Sequence, residues 1–185
     1  MAEHAARRAP AIPAAPWLQP LLPATRLVLH GNAGARALAL PVWGVAFAEE
    51  PCRANVQGTR ATLWLGPDEY LLLDSAPGEP ETAVASELER ALAGAPHALV
   101  DISHRQFAFE VRGVHAQAIL NGACPLDLDL SAFPIGMCTR TVLAKADIVL
   151  WRTADDAFHL EAWRSFSGYV TGLLTEIATE YYGSL

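Results

Sequence analysis

A chain of 185 residues that is 52% hydrophobic has enough apolar material for one substantial core or two small fused ones. Only 18% of it is charged, which leaves a surface sparse in charge and points to partial cover by partners. The formal charge of −7, with Arg7-Arg8 as the single basic run, excludes a nucleic-acid footprint.

Residues 1–25 read as a flexible, polyproline-like arm around Pro10, Pro13 and Pro16, without the long apolar stretch of a signal peptide. Trp17, Leu18, Leu21 and Leu22 follow as apolar anchors, able to dock on this chain's core or on a neighbouring subunit. No apolar run approaches the roughly 18 residues that span a bilayer. Cys52, Cys124 and Cys138 form no CxxC and no metal-spaced cluster, as expected of reduced thiols in a cytoplasmic protein.

From Arg26 to Gly31 the alternation predicts a strand, and Ala33 to Leu40 a short helix that ends at Pro41. Pro51 to Gly58 reads as a loop or edge segment. Thr62–Leu65 and Tyr70–Leu73 are strands about a Gly66-Pro67-Asp68-Glu69 turn. Val84, Leu88 and Leu92 fall on one face of a helix over Glu81–Ala93, which Gly94 and Pro96 stop. Ala98–Ile102 is a short strand. Phe107, Phe109 and Val111 alternate with Ala108, Glu110 and Arg112, the pattern of a half-buried strand. A helix over Val114–Leu120 closes with Asn121-Gly122 as its C-cap. Thr139–Lys145, Ile148–Arg152 and Phe158–Trp163 make a meander, and Ser167–Tyr181 a closing helix with Val170, Leu173, Leu174, Ile177 and Tyr181 on one stripe.

Two stretches repeat. Leu63-Trp64 leads through Asp68-Glu69 to Tyr70-Leu71, and Leu150-Trp151 leads through Asp155-Asp156 to Phe158. Each is followed by a helix and preceded by a strand, a glycine and a further helix. The expected fold is α+β: two tandem, pseudo-duplicated ferredoxin-like halves, antiparallel sheets with packed helices. The halves divide as 26–97 and 98–185 and share one body. Trp64 and Trp151 are expected at equivalent positions.

No catalytic set emerges. Asp101, Ser103 and His104 are close in sequence, but no Gly-x-Ser-x-Gly elbow activates the serine. The six histidines contain no i, i+4 pair and no HExxH for zinc. No glycine-rich loop cradles a cofactor phosphate. The acidic pairs sit at hairpin turns, where solvated turn chemistry explains them.

Several of these stretches together resemble the gamma subunit of heterotetrameric sarcosine oxidase. They are Trp64-Leu65-Gly66-Pro67-Asp68-Glu69-Tyr70, Asp101-Ile102-Ser103-His104-Arg105-Gln106, Gly122-Ala123-Cys124-Pro125-Leu126-Asp127-Leu128, Arg140–Ala146, and Arg164-Ser165-Phe166 with Tyr169. The second repeat is similar, more distantly, to the folate-binding domain of glycine-cleavage aminomethyltransferases. That family carries a Gly-Gly-x-x-Asp element between two strands. Here Lys145-Ala146-Asp147 runs straight on without the glycines, and Asp147 does not fit the motif.

The resemblance implies a non-catalytic structural subunit of a cytoplasmic oxidase. The complex would demethylate sarcosine to glycine and hydrogen peroxide and pass the one-carbon unit to tetrahydrofolate. FAD, FMN, NAD, zinc and tetrahydrofolate would sit in the alpha, beta and delta partners, with no catalytic, cofactor or metal residue in this chain. A stand-alone folate-binding relative of aminomethyltransferase is the alternative. The subunit contact is placed at Trp17, Leu18, Leu21, Leu22, Ser103, His104, Arg105, Gln106 and Arg164.

Overall fold

The computed structural model describes residues 15–77 and 82–183, so most of the expected arm, residues 1–14, lies outside the described residues. Strand β1 (Leu18–Pro20) is followed by β2 (Thr25–Gly31), α1 (Ala33–Trp43), β3 (Ala54–Gln57), β4 (Arg60–Gly66), β5 (Glu69–Asp74) and α2 (Thr82–Leu92). Then come β6 (His97–Asp101), β7 (Gln106–Arg112), α3 (Ala116–Asn121), β8 (Cys138–Leu143), β9 (Ala146–Ala154), β10 (Ala157–Trp163) and α4 (Ser167–Tyr182).

The strands form two five-stranded antiparallel sheets, ordered β3-β4-β5-β2-β6 and β8-β9-β10-β7-β1. The orders match position for position: a three-strand meander, then the strand that opens the half, then one outer strand. Each sheet is one strand wider than a ferredoxin-like half. The outer strands come from across the boundary. β1 precedes the first half in sequence yet pairs with β7, Leu18 opposite Val111. β6 straddles residue 97 and pairs with β2, Val28 opposite Val100.

Burial follows the period of two along the strands. Leu27, Leu29, Tyr70 and Leu72 pack under α1 and α2 with Trp43, Val84 and Leu88. Phe109, Val111, Ile148, Leu150 and Leu160 pack under α3 and α4 with Ile119, Val170 and Leu174. Between the sheets lies a third apolar group, including Leu63, Leu71, Leu73, Cys138 and Val149. The layers are therefore helices, sheet, sheet, helices. Main-chain bonds join the β3 and β8 edges: Cys138 donates to Cys52 O at 2.9 Å and Ala54 to Gly136 O at 2.9 Å.

Three local expectations change. The first helix runs past Pro41 to Trp43. The fully buried Trp43 anchors that end, its Nε1 donating to Ala61 O at 3.3 Å, and Gly44 closes it at φ 81° with its N–H on Leu40 O. β7 keeps the expected half-buried alternation only at Glu110 and Arg112; nearer its start the second side is covered as well, and Ala108 is 1% exposed. The third helix starts only at Ala116, and Val114 stands in solvent. Gly122 is the C-cap expected, its N–H turned to the carbonyls of the last turn, but with right-handed helical φ, −61°. Its missing side chain also admits α4: a Cβ there would lie 2.8 Å from Ile177 Cγ2.

The tryptophans also differ. Trp64 on β4 and Trp151 on β9 occupy corresponding strands, but Trp64 packs with the helix-side group and Trp151 with the inter-sheet group. A one-residue offset between the halves turns the two rings to opposite faces.

Gly122→Ala should therefore destabilise the fold by about 1–3 kcal/mol through overpacking alone. Denaturant unfolding checks this, and Ile177→Ala in the same chain should recover part of the loss. Additive losses would show that the contact is not the cause.

Candidate functional site

The facing sides of the two sheets carry charge where a plain sandwich would carry none. Alternation turns Leu27 and Leu29 to the helices and Arg26 to the second sheet; on β10 it turns Leu160 outward and Glu161 inward. Arg26 Nε donates to Glu161 Oε2 at 2.7 Å, with the two side chains 3% and 0% exposed. His159 Nε2 lies 2.7 Å from Glu161 Oε1. Arg26 Nη1 also donates to Ala24 O at 3.1 Å. Burial pushes the Glu161 carboxyl up, but the Arg26 charge and the His159 hydrogen bond outweigh that and hold it below the usual glutamate range.

Ser103 completes the cluster from the main-chain side. Its Oγ accepts from Arg26 N–H at 2.9 Å, and its own N–H donates to Asp101 Oδ1 at 2.8 Å. Both Asp101 and Ser103 are thus engaged in holding a turn, and His104 is exposed. A nucleophile–base pair is not assembled there.

Cavities open on two sides of this cluster. One, of about 230 Å³, reaches Glu161 and is lined by Arg105, Gln106, Arg140, Asp147 and Trp163. Arg140 of β8 pairs with Glu69 of β5, an ion pair between the sheets. The second, of about 410 Å³, reaches Arg26 and His159 and is mostly apolar, with Leu22, Val56, Leu73 and Trp151. Among the described residues no group of three or more His, Cys, Asp or Glu is placed to hold a metal ion. Burial pushes the Cys138 thiol up to about 12, so it stays protonated and inert near neutrality.

The expected contact residues divide. Trp17 and Leu18 belong to the chain's own core, 4% and 1% exposed, with Trp17 stacked on Tyr182 at 6.1 Å. Leu21, Leu22, Ser103, Gln106 and Arg164 converge on one small cavity although they come from three separate segments. Arg164 donates its main-chain N–H to Arg105 O at 2.8 Å and its Nε to His104 O at 3.3 Å. Arg105 stacks over Trp163. Arg26, His159 and Glu161 were missed. Their signal was a strand of apolar residues interrupted at alternate places by polar ones, which reads as a solvent face unless a second sheet is known to cover it.

Residues 30–180 match the Sarcosine oxidase, gamma subunit family. The chain belongs to that family. Sarcosine oxidase subunit gamma of Corynebacterium sp. strain P-1 is 33% identical over 154 residues, spanning 82% of this chain and 72% of that protein. The Arthrobacter sp. subunit gamma is 32% identical over the same shares. The chain superposes with a TM-score of 0.82 and 26% identity on a chain of the heterotetrameric sarcosine oxidase from Corynebacterium sp. U-96 in complex with pyrrole 2-carboxylate, covering 91% of this chain and 85% of that one. The fold is also that of glycine cleavage system aminomethyltransferase T from Bartonella henselae, at TM-score 0.64 and 13% identity over 85% of this chain and 44% of that protein. In this gamma-family chain, no helix among the described residues is long and apolar enough to cross a membrane.

Glu161→Gln should destabilise the gamma-family fold by about 3–5 kcal/mol near neutral pH, because it leaves Arg26 buried without its counter-charge. The folded pKa of Glu161 is depressed, so its contribution is full above the unfolded value of ~4.3 and is lost as pH falls through the lower folded value. The gap between variant and parent should therefore narrow in acid. Urea titrations at several pH values check this, and a pH-independent gap would show that the carboxylate charge is not what matters.

Proposed function

We propose that this chain is the gamma subunit of a heterotetrameric sarcosine oxidase and serves it as a structural, non-catalytic part. The observation that carries the reading is the family match along nearly the whole folded body. In this reading the complex, in the cytoplasm, oxidises the N-methyl group of sarcosine to give glycine and hydrogen peroxide. The one-carbon unit passes to tetrahydrofolate. FAD, FMN and NAD belong to the larger alpha and beta subunits and zinc to the delta subunit.

The buried polar groups support a structural role. Both Glu161 oxygens, the Arg26 guanidinium and the Ser103 hydroxyl are engaged with one another or with main chain. The stretch that stands in place of the Gly-Gly-x-x-Asp element is a tight hairpin turn, Leu143 pairing with Ala146 and Ala144 at φ 51°. A folate binder acting alone would need another source for that carboxylate.

The outward contact residues are assigned to the subunit interface: Leu22, which is 72% exposed, with exposed His104 and Arg105 and half-buried Arg164 at the same end of the sandwich. An apolar projection flanked by a guanidinium is the kind of feature that anchors protein contacts.

Co-expression with the alpha, beta and delta chains tests the reading. Omitting this chain should abolish recovery of an intact complex, and Leu22→Asp or Arg164→Ala should weaken it. An interface arginine of this type is worth about 2 kcal/mol, or about thirtyfold in affinity. Because Trp17 and Leu18 are core residues, point variants are required; deleting residues 1–25 would unfold the second sheet. Normal assembly by both variants would place the contact elsewhere, and folate bound by the isolated chain would favour the stand-alone reading.

A further inference from the structure

Among the described residues four strands stand at sheet edges, and three of them are tied down or short. β3 and β8 are joined to each other by the main-chain bonds of Cys138 and Ala54. β1 is three residues long and ends in Pro20. β6 is different. Its five residues, His97-Ala98-Leu99-Val100-Asp101, contain no proline, and Val100 is 52% exposed.

The phase of the ladder fixes which main-chain groups of β6 remain free. Ile102 N–H donates to Arg26 O at 2.9 Å, continuing the register that sets Val28 opposite Val100 and His30 opposite Ala98. Ala98 and Val100 therefore bond to β2, and the N–H and C=O groups of His97, Leu99 and Asp101 point away from the sheet. Among the described residues no hydrogen bond reaches those outward groups.

We infer that the chain pairs with a second copy of itself along β6, antiparallel about a two-fold axis at Leu99. That register sets Leu99 opposite Leu99, Ala98 opposite Val100 and His97 opposite Asp101. All three outward residues then fall in hydrogen-bonded pairs, each exchanging both of its main-chain bonds. A slip of one residue sets outward groups against inward ones and leaves the ladder unmade. A slip of two keeps a ladder but parts the opposite charges.

The edge is thus complementary to itself in charge as well as in main chain. Both ring nitrogens of His97 face oxygens, Ala95 O at 2.9 Å and Glu89 Oε2 at 3.1 Å, an arrangement met in full only by the doubly protonated ring. The same bonds hold its pKa above the usual histidine value. His97 and Asp101 project to the same face of the sheet, so each imidazolium lies beside the other copy's carboxylate. Val100, exposed in the single chain, is covered by Ala98 of the other copy. The inference concerns the chain by itself and does not rest on its proposed place in an oxidase.

The test is sedimentation equilibrium of the full chain beside two double variants. Ala98→Lys with Val100→Lys, and Ala98→Glu with Val100→Glu, alter exposed positions and set like charges opposite each other in either homodimer. The parent should be dimeric at about 100 µM. Each variant alone should associate at least about tenfold more weakly, and an equimolar mixture of the two should recover a dimer. Amide exchange at Leu99 should slow in the parent dimer relative to the diluted monomer. A parent that stays monomeric at that concentration overturns the inference, including the case in which a strand of a different protein covers β6. So does a dimer whose Leu99 amide exchanges as fast as the monomer's, which needs no variant to detect. Variants that dimerise as tightly as the parent, or a mixture no tighter than its components, overturn it as well.

Discussion

Removing a guanidinium and a carboxylate from water costs several kcal/mol per ion, and Arg26 and Glu161 offset that only while the two sheets hold one alignment. The two residues are 135 apart in sequence and come from different sheets, so the pair couples the halves directly. Apolar packing between the sheets, made by residues such as Leu63, Leu71 and Val149, is non-directional and so tolerant of small slides. A hydrogen-bonded ion pair is not. Shifted out of place it leaves two buried charges without partners, so it excludes near-native alignments more strongly than it adds net stability.

Much of the fold follows from period and punctuation. The long amphipathic helices, the Thr139–Trp163 meander and the Leu63–Leu73 hairpin are legible because each carries an unbroken apolar alternation or a 3.6 period. Failures occurred where tertiary contact overrides a local rule. Pro41 marks a helix end by sequence, but burial of Trp43 one half-turn later carries the helix on. Gly122 is legible as the cap it is, but not its second role, which is to let Ile177 approach. β1 was hidden inside an arm because three residues ending in proline carry almost no strand signal, and only pairing with β7 makes them one.

The candidate site was legible as a list of residues rather than as a place. Ser103, Gln106 and Arg164 stood out in the sequence as polar groups at strand ends, and Leu21 and Leu22 as apolar residues without a home. Nothing in one-dimensional order says that they meet. The partner of Ser103 is a main-chain N–H at Arg26, and main-chain partners have no residue signature at all. The inter-sheet triad was illegible for a related reason: His159 and Glu161 alternate with buried apolar residues in the way a solvated strand face does. Only a second layer over that face makes the same letters a buried ion network.

The exchange of outer strands explains why one end of the molecule is fit to be recognised. The chain crosses between sheets at residues 21–24, from β1 to β2, and again at residues 102–105, from β6 to β7. A third segment, the short 3₁₀ turn Arg164–Phe166, leaves β10 at the same end and is tied to the second crossing by the Arg164 N–H to Arg105 O bond. All three sit beside the Arg26–Glu161 pair, and Arg26 itself binds the second crossing through Ser103. Loops of this kind are ordinarily the mobile part of a domain. Here the first two are fastened to Arg26 of the buried pair, through Ala24 O and Ser103 Oγ, and the third to the second crossing, so Leu22, His104 and Arg164 are presented in one arrangement. A surface already ordered in its free form loses less conformational entropy on association. The ion pair that fixes the sheets thereby also fixes the shape of the surface they display.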